Sequence, residues 1–348
     1  MSRIGSRPLR AAVIGAGAMG RHHARLCAEI EGVNLVGVVD QDPAIQAQAE
    51  ARYQTRTFSD CRSLLQAEDL DFAVIAVPTH EHFPVARTLI EHGIHVLIEK
   101  PLALNAEEAR KLISLARDRG INLGVGHVER FNPAVMALKQ HLEQGELGRI
   151  FQINVQRISG FPPRVRDVGV ILDLATHDLD VMRHLTGTEV TRVSAETTRE
   201  LGGPQEDMLC GLLRFEGGVI GLLNINWLSP TKIRELTVSG ERGMFVVNYL
   251  TQDLYFYENG YRDGDWESLQ VFRGVAEGRM IRYPIVRREP LQVELESFAA
   301  SILEGRPFPV TGEDGLKAIT LAQHLVQAGQ RGESLNLVAP GREAVGTS

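Results

Sequence analysis

Cysteine is scarce: the 348 residues hold three, Cys27, Cys61 and Cys210. Three scattered thiols build neither a disulfide framework nor a paired-cysteine metal site, and they fit a reducing cytoplasm. Long apolar runs are missing as well. None approaches the roughly 18 residues of a membrane span, so no membrane association is expected. The basic stretch at residues 1–10 leads into a glycine-rich run instead of the apolar core of a signal peptide. An excess of positive charge is also lacking. Lys and Arg number 37 against 44 Asp and Glu, a net charge of −7. That leaves no basic face for nucleic-acid phosphates. An anionic small molecule stays open, because arginines can concentrate locally. Internal repeats and low-complexity linkers are absent.

What is present is the composition of a folded protein, 43% hydrophobic and 23% charged, long enough for two domains. The first 125 residues alternate apolar strands (9–15, 33–40, 72–77, 94–98, 121–125) with helical segments (18–31, 81–92, 106–119). Apolar runs separated by helices imply a parallel sheet covered on both faces. Asn105 suits the N-cap of the third of these helices. Beyond residue 126 the pattern changes. Strands are expected at 150–159, 190–198, 208–215, 219–227, 233–239 and 244–248, with glycine turns at 215–219 and 240–243. Such a run predicts a mostly antiparallel sheet with one buried face. A helix at 171–186 interrupts it, and helices at 291–304 and 315–329 close the chain. Thr311 with Asp314 has the spacing of a cap for the last one.

Gly15-Ala-Gly-Ala-Met-Gly20 follows a strand and opens a helix, the context that makes a glycine pattern specific. Gly15 allows a tight turn, Gly17 close approach to a pyrophosphate, and Gly20 close helix–strand packing. The backbone of Ala18 and Met19 starts the helix that faces the phosphates. Asp40 ends the second strand where a ribose-binding acid belongs. Its charge repels a 2′-phosphate and no arginine follows, so the cofactor is NAD rather than NADP. Val77, Pro78 and Thr79, with His82 behind them, end the next strand and are placed to line the cofactor. The His80–His82 pair lacks cysteine or acidic support, and no metal is expected.

The strand at 94–98 ends in Glu99-Lys100-Pro101, again at the mouth of the sheet. A desolvated lysine beside a cationic nicotinamide is favoured as the neutral amine, the form that takes a proton from a hydroxyl. The Lys100–Pro101 peptide is a candidate cis bond. Asp173 and His177 stand four apart on one expected helix and share a face.

The set GAGAMG, AVPTHEH, EKP and DLATHDLD resembles the Gfo/Idh/MocA family of sugar and inositol oxidoreductases, from about residue 9 to about 330. The resemblance implies an α/β architecture. An N-terminal Rossmann domain (1–125) precedes a C-terminal α+β domain (126–340) with an open-faced, mostly antiparallel sheet, and a frayed tail follows at 341–348. It also implies Lys100, Asp173 and His177 as the catalytic group, with Glu99 and His127 beside the cofactor. Thr79 replaces the asparagine often found there in the family.

Gly126-His-Val-Glu-Arg-Phe-Asn-Pro133 and Gly160-Phe-Pro-Pro-Arg-Val-Arg-Asp-Val-Gly169 resemble the branch that oxidises the 3-hydroxyl of UDP-N-acetylglucosamine. On that resemblance the substrate is a nucleotide sugar, and the 3-keto product passes to an aminotransferase on the way to a 2,3-diamino sugar of lipid A. Arg164 and Arg166 suit a diphosphate. Glu129, Arg130 and Asn132 are candidates for sugar hydroxyls, and Glu129 and Arg130 are equally candidates for a structural pair. Arg157 suits the carboxylate of a uronic-acid substrate. A free sugar or inositol, a non-catalytic NAD sensor and a hydrolase using NAD transiently remain alternatives. An open sheet face implies a homodimer or homotetramer.

Overall fold

The computed structural model describes residues 7–162, 168–260 and 276–337. They fall into two compact units, Met1–Val128 with Glu289–Thr320, and Glu129–Arg288 with Leu321–Ser348. Among the described residues no helix is long and apolar enough to cross a membrane.

The first unit begins with β1 (Leu9–Ile14), α1 (Gly20–Glu29), β2 (Val33–Val39), α2 (Pro43–Tyr53), β3 (Arg56–Phe58) and α3 (Cys61–Ala67). It continues through β4 (Phe72–Ile75), α4 (Thr79–Glu91), β5 (His95–Glu99), α5 (Ala106–Arg119) and β6 (Leu123–Gly126). The strands form a parallel sheet in the order β3-β2-β1-β4-β5-β6. Every residue of β4 is buried, as is all of β5 but its first. That burial explains their unbroken apolar runs. Local chemistry sets the helix starts. The carboxylates of Asp42 and Asp60 and the amide of Asn105 accept from backbone N–H groups in the first turns of α2, α3 and α5. The order reverses between β2 and β4 on either side of β1, and ligands of such sheets lie beyond the carboxyl ends of the strands there.

The second unit holds α6 (Pro133–Glu143), β7 (Ile150–Gly160), a π-helical turn (Ile171–Ala175), α7 (Thr176–Thr186), β8 (Val190–Thr198), β9 (Met208–Phe215) and β10 (Ile220–Asn226). Then come β11 (Leu228–Gly240), β12 (Gly243–Asn248), β13 (Asp253–Gly260) and β14 (Ala276–Tyr283). Further along the chain come α8 (Pro290–Glu304) and the start of α9 (Gly312–Arg331), which belong to the first unit, and the rest of α9 with the short β15 (Leu335–Asn336), which belong to the second. Nine strands pair in the order β14-β13-β12-β11-β7-β10-β9-β8-β15. All pairs are antiparallel except β7 with β10. Alternation buries Leu209, Leu213 and Phe215 of β9 with Val155 of β7 and Leu179 and Met182 of α7. It leaves Cys210 and Leu212 exposed.

Two differences from the sequence reading stand out. Strands β13 and β14 extend the sheet past residue 248. Helix α8, expected in the C-terminal domain, belongs to the first unit. Phe298 of α8 meets Phe72 of β4 edge-on at 5.7 Å and Phe308 at 5.1 Å, closing an aromatic cluster against the parallel sheet. At the start of α9, Thr311 and Asp314 cap each other's backbone N–H groups as their spacing predicts.

Candidate active site

The glycine fingerprint lies between β1 and α1. Gly15 has φ +86°, and a Cβ there would lie 2.8 Å from the Ala76 carbonyl oxygen. A Cβ on Gly20 would meet the Gly15 carbonyl oxygen at 1.7 Å. Both positions exclude a side chain. Around Gly17, by contrast, nothing lies within 4 Å of the Cβ position, and Gly17, Ala18 and Met19 are exposed. This is the room a pyrophosphate needs to approach the backbone. Helix α1 opens with no side-chain cap and no acid in its first turn; the Arg21 and His22 N–H groups bond the Gly17 and Met19 carbonyls, and the partial positive charge of the helix start is left for a phosphate. One carboxylate oxygen of Asp40 accepts from the Ala16 N–H at 2.8 Å and the other from the Asp42 N–H at 3.0 Å. Asp40 is thereby held at the fingerprint loop, with lone pairs left for ribose hydroxyls. The residues fit a dinucleotide on all three counts.

Val77 and Thr79 are half-buried and Pro78 is exposed at the end of β4. His82 departs from expectation. It is 1% exposed, and its ring nitrogens lie 2.8 Å from the Pro101 carbonyl oxygen and 3.0 Å from that of Val77. Burial lowers its pKa despite those two carbonyls. The neutral ring, with one N–H, donates to one of these carbonyls and packs between the two strand-end loops.

Glu99 is tied into the protein as well. It is buried at the end of β5, with Oε1 2.8 Å from Nε2 of the wholly buried His23 and Oε2 accepting the Lys100 backbone N–H at 3.2 Å. Burial pushes its pKa up, but the hydrogen bond and charge of His23, helped by Lys100, hold it below the usual carboxylate range. Lys100 is half-buried beside this pair, and the Lys100–Pro101 peptide is cis. His127 is buried, just beyond β6.

In the second unit, charged residues expected to meet substrate are joined to one another. Arg157 is 1% exposed. It donates to both oxygens of Asp178 at 2.7 and 3.0 Å and to Glu129 at 2.9 Å. Burial opposes its charge, but Asp178 and Glu129 outweigh that and raise its pKa. Arg130 donates twice to Asp180, at 2.6 and 2.5 Å. Glu129 and Arg130 are thus both in ion pairs, but not with each other. Asn132 caps α6 through the Ala134 N–H and donates to the Tyr249 carbonyl at 3.1 Å. These contacts withdraw Arg157 and Asn132 from the substrate and make Glu129 and Arg130 members of a structural network. Arg164 and Arg166 lie outside the described residues.

Asp173 and His177 straddle the junction between the π turn and α7. Asp173 is 5% exposed, and His177 is half-buried. A π turn widens the backbone ladder and often marks a functional segment. Its entry is held by Glu206, from the β8–β9 connection, which the sequence reading missed. The Glu206 carbonyl accepts the Val170 N–H at 2.9 Å and its carboxylate the Ile171 N–H at 3.2 Å. A Cβ on Gly169 would lie 2.0 Å from that carboxylate. Only glycine leaves Glu206 room there. Among the described residues no group of three His, Cys, Asp or Glu side chains is placed to hold a metal ion.

A Rossmann unit whose glycine turn, open helix start and Asp40 fit a dinucleotide defines a nicotinamide-dependent class of protein. Residues 9–127 match the model of the oxidoreductase family with an NAD-binding Rossmann fold, and residues 135–246 match the GFO/IDH/MocA C-terminal domain. The chain belongs to the Gfo/Idh/MocA family and is an NAD-dependent dehydrogenase acting on CH–OH groups of sugars or polyols. It is 31% identical over 314 residues to UDP-N-acetylglucosamine 3-dehydrogenase of Acidithiobacillus ferrooxidans, covering 90% of this chain and 95% of that one. A solved structure of that enzyme superposes with a TM-score of 0.82 at 30% identity, covering 94% of this chain and 99% of the other. The scyllo-inositol 2-dehydrogenase (NAD(+)) of Bacillus subtilis is 29% identical over 252 residues, covering 68% of this chain and 73% of that one.

Proposed function

We propose that this enzyme oxidises the 3-hydroxyl of UDP-N-acetylglucosamine to the 3-keto sugar. The observation that carries the reading is the 31% identity to a dehydrogenase of that name across 95% of its length. Bound NAD supplies the acceptor for the hydride leaving the sugar carbon. The hydroxyl proton goes to one base, Lys100 or His177, and Asp173 orients the imidazole of His177. Asp40 and the fingerprint loop hold the dinucleotide. A 3-keto sugar is the substrate an aminotransferase requires, so such an enzyme consumes the product, on a cytoplasmic route to a 2,3-diamino sugar of lipid A.

A second reading, oxidation of a free polyol, is favoured by the likeness to scyllo-inositol 2-dehydrogenase. The test is absorbance at the NADH band with purified protein, NAD and UDP-N-acetylglucosamine, with a glutamate-dependent aminotransferase drawing off the ketone. NADH that requires the nucleotide sugar, with loss of two hydrogens from the sugar mass, supports the first reading. A signal only with inositol or a free sugar replaces it with the second. NAD binding with no turnover of any of them brings a sensor role forward.

We also propose that the enzyme pairs through the open sheet face. Leu212, Leu222, Val246 and Tyr257 occupy strand positions that alternate with the buried ones. A second copy would cover them. A monomeric mass by light scattering at working concentration would refute this.

A further inference from the structure

Strands β7 and β11 place Arg157 and Arg234 directly opposite each other. Residues paired this way point to the same face of the sheet, and like charges in that position repel. Arg157 is satisfied by Asp178 and Glu129, as described above. Arg234 receives what is left. Its Nη1 lies 3.7 Å from Oε1 of Glu129, the oxygen already held by Arg157 at 2.9 Å. Among the described residues its guanidinium donates no hydrogen bond within the protein, and its side chain is 28% exposed. Burial, then the charge of Arg157, lowers its pKa, while Glu129, Asp178 and Asp173 pull the other way. Asp173 is therefore within Coulombic reach of the guanidinium.

The ion pair to Glu129 is long and shared with Arg157. Leucine or glutamine would fill the position without facing a second cation. Buried or half-buried donors in folded proteins find acceptors, and a set of donors that reaches solvent beside a reactive acid is open to a ligand. The guanidinium fork matches the two oxygens of a carboxylate or phosphate.

We infer that Arg234, opposite Arg157 on the neighbouring strand, binds the substrate by clamping an anionic oxygen of a phosphate or a carboxylate. This rests on the nucleotide-sugar reading, since such a substrate carries a diphosphate and, in its uronic form, a sugar carboxylate. It assigns to Arg234 the role the sequence suggests for Arg157.

The test is calorimetric titration of the NAD-saturated full-length protein and of Arg234→Met. The ligands are UDP, UDP-N-acetylglucosamine, the corresponding uronic acid and, as a neutral control, scyllo-inositol. Loss of Arg234 is expected to weaken anionic ligands roughly 10- to 100-fold, the range for a hydrogen bond to a charged group, with NAD affinity unchanged. Arg234→Lys should recover part of the loss. Arg234→Gln, which keeps polar donors without charge, should not, and it serves if the methionine variant does not fold. Equal weakening of all three uridine ligands assigns the phosphate, and weakening of the uronic form alone assigns the carboxylate. Affinities within twofold of wild type for all three, or a fall in turnover with unchanged affinity, overturn the inference. If the wild-type protein binds no uridine nucleotide, the nucleotide-sugar reading has failed. Glucuronate against glucose then decides Arg234 by the same criterion.

Discussion

Replacing Glu294 with glutamine should make the protein more stable, by an amount that grows with pH. Glu294 lies on α8, wholly buried, and neither carboxylate oxygen has a hydrogen-bond partner among the described residues. Burial, with the charge of nearby Glu99, raises its pKa well above the ordinary carboxylate value. In the unfolded chain a glutamate titrates near pH ~4.3. Above that pH the folded protein keeps a proton that the unfolded chain has released. The stabilisation is complete below the unfolded midpoint and is lost as pH rises toward the folded one. Linkage sets the slope at about 1.4 kcal/mol per pH unit in that window. Glutamine keeps the shape and polarity of the neutral acid but does not titrate. Across two such pH units the variant should gain about 2.7 kcal/mol on the wild type. With a urea dependence of about 1–3 kcal/mol/M, the midpoints should diverge by roughly 0.5–1.4 M per pH unit. Urea unfolding of both proteins at pH 5, 6 and 7, followed by circular dichroism, reads this directly. Other titrating groups cancel in the difference. A constant gap between the two proteins at all three pH values would refute a neutral, buried Glu294.

Asp40→Ala should weaken NAD roughly 10- to 100-fold, as expected for lost hydrogen bonds to a charged group, and narrow the preference for NAD over NADP. Unchanged affinities for both dinucleotides would remove Asp40 from the ribose site. Lys100→Met should abolish turnover and leave NAD binding near normal, and turnover within tenfold of wild type would show that Lys100 does not handle the proton. Arg157→Met strands the buried carboxylates of Asp178 and Glu129, which should cost about 3–5 kcal/mol. For a unit of this size that lowers the melting temperature by roughly 6–20 °C, and a drop of under ~2 °C would mean that the pair contributes little.

The features legible in the sequence are those whose physics acts between near neighbours. Gly15, Gly17 and Gly20 share one turn, Asn105 caps the helix it precedes, and Thr311 lies three residues from its partner Asp314. The apolar runs of β1, β4 and β5 announce a doubly covered sheet because burial on both faces removes any need for alternation. The four-residue spacing of Asp173 and His177 was equally plain, but Asp173 lies in the π turn and His177 in α7, a change of helix type that no short pattern announces. The sequence does not distinguish an arginine that binds substrate from one that binds protein. Arg157, Glu129, Arg130 and Asn132 carry the residue types of a sugar site, yet their partners lie up to 117 residues away.

The sequence by itself determined the class of cofactor, the parallel sheet that presents it and the Lys100 strand end, since each rests on periodicity or on a motif a few residues long. Only the tertiary structure decided which charged groups remain available. Ion pairing is a competition among groups brought together by the whole fold, and Asp178 takes Arg157 because α7 happens to lie against β7. The same folding sets His23 against Glu99, 76 residues apart, and brings Glu206 to the entry of the π turn. It moves α8 onto the parallel sheet through Phe72 and Phe298, and it leaves Arg234 with a 3.7 Å ion pair to Glu129 and no side-chain hydrogen bond among the described residues.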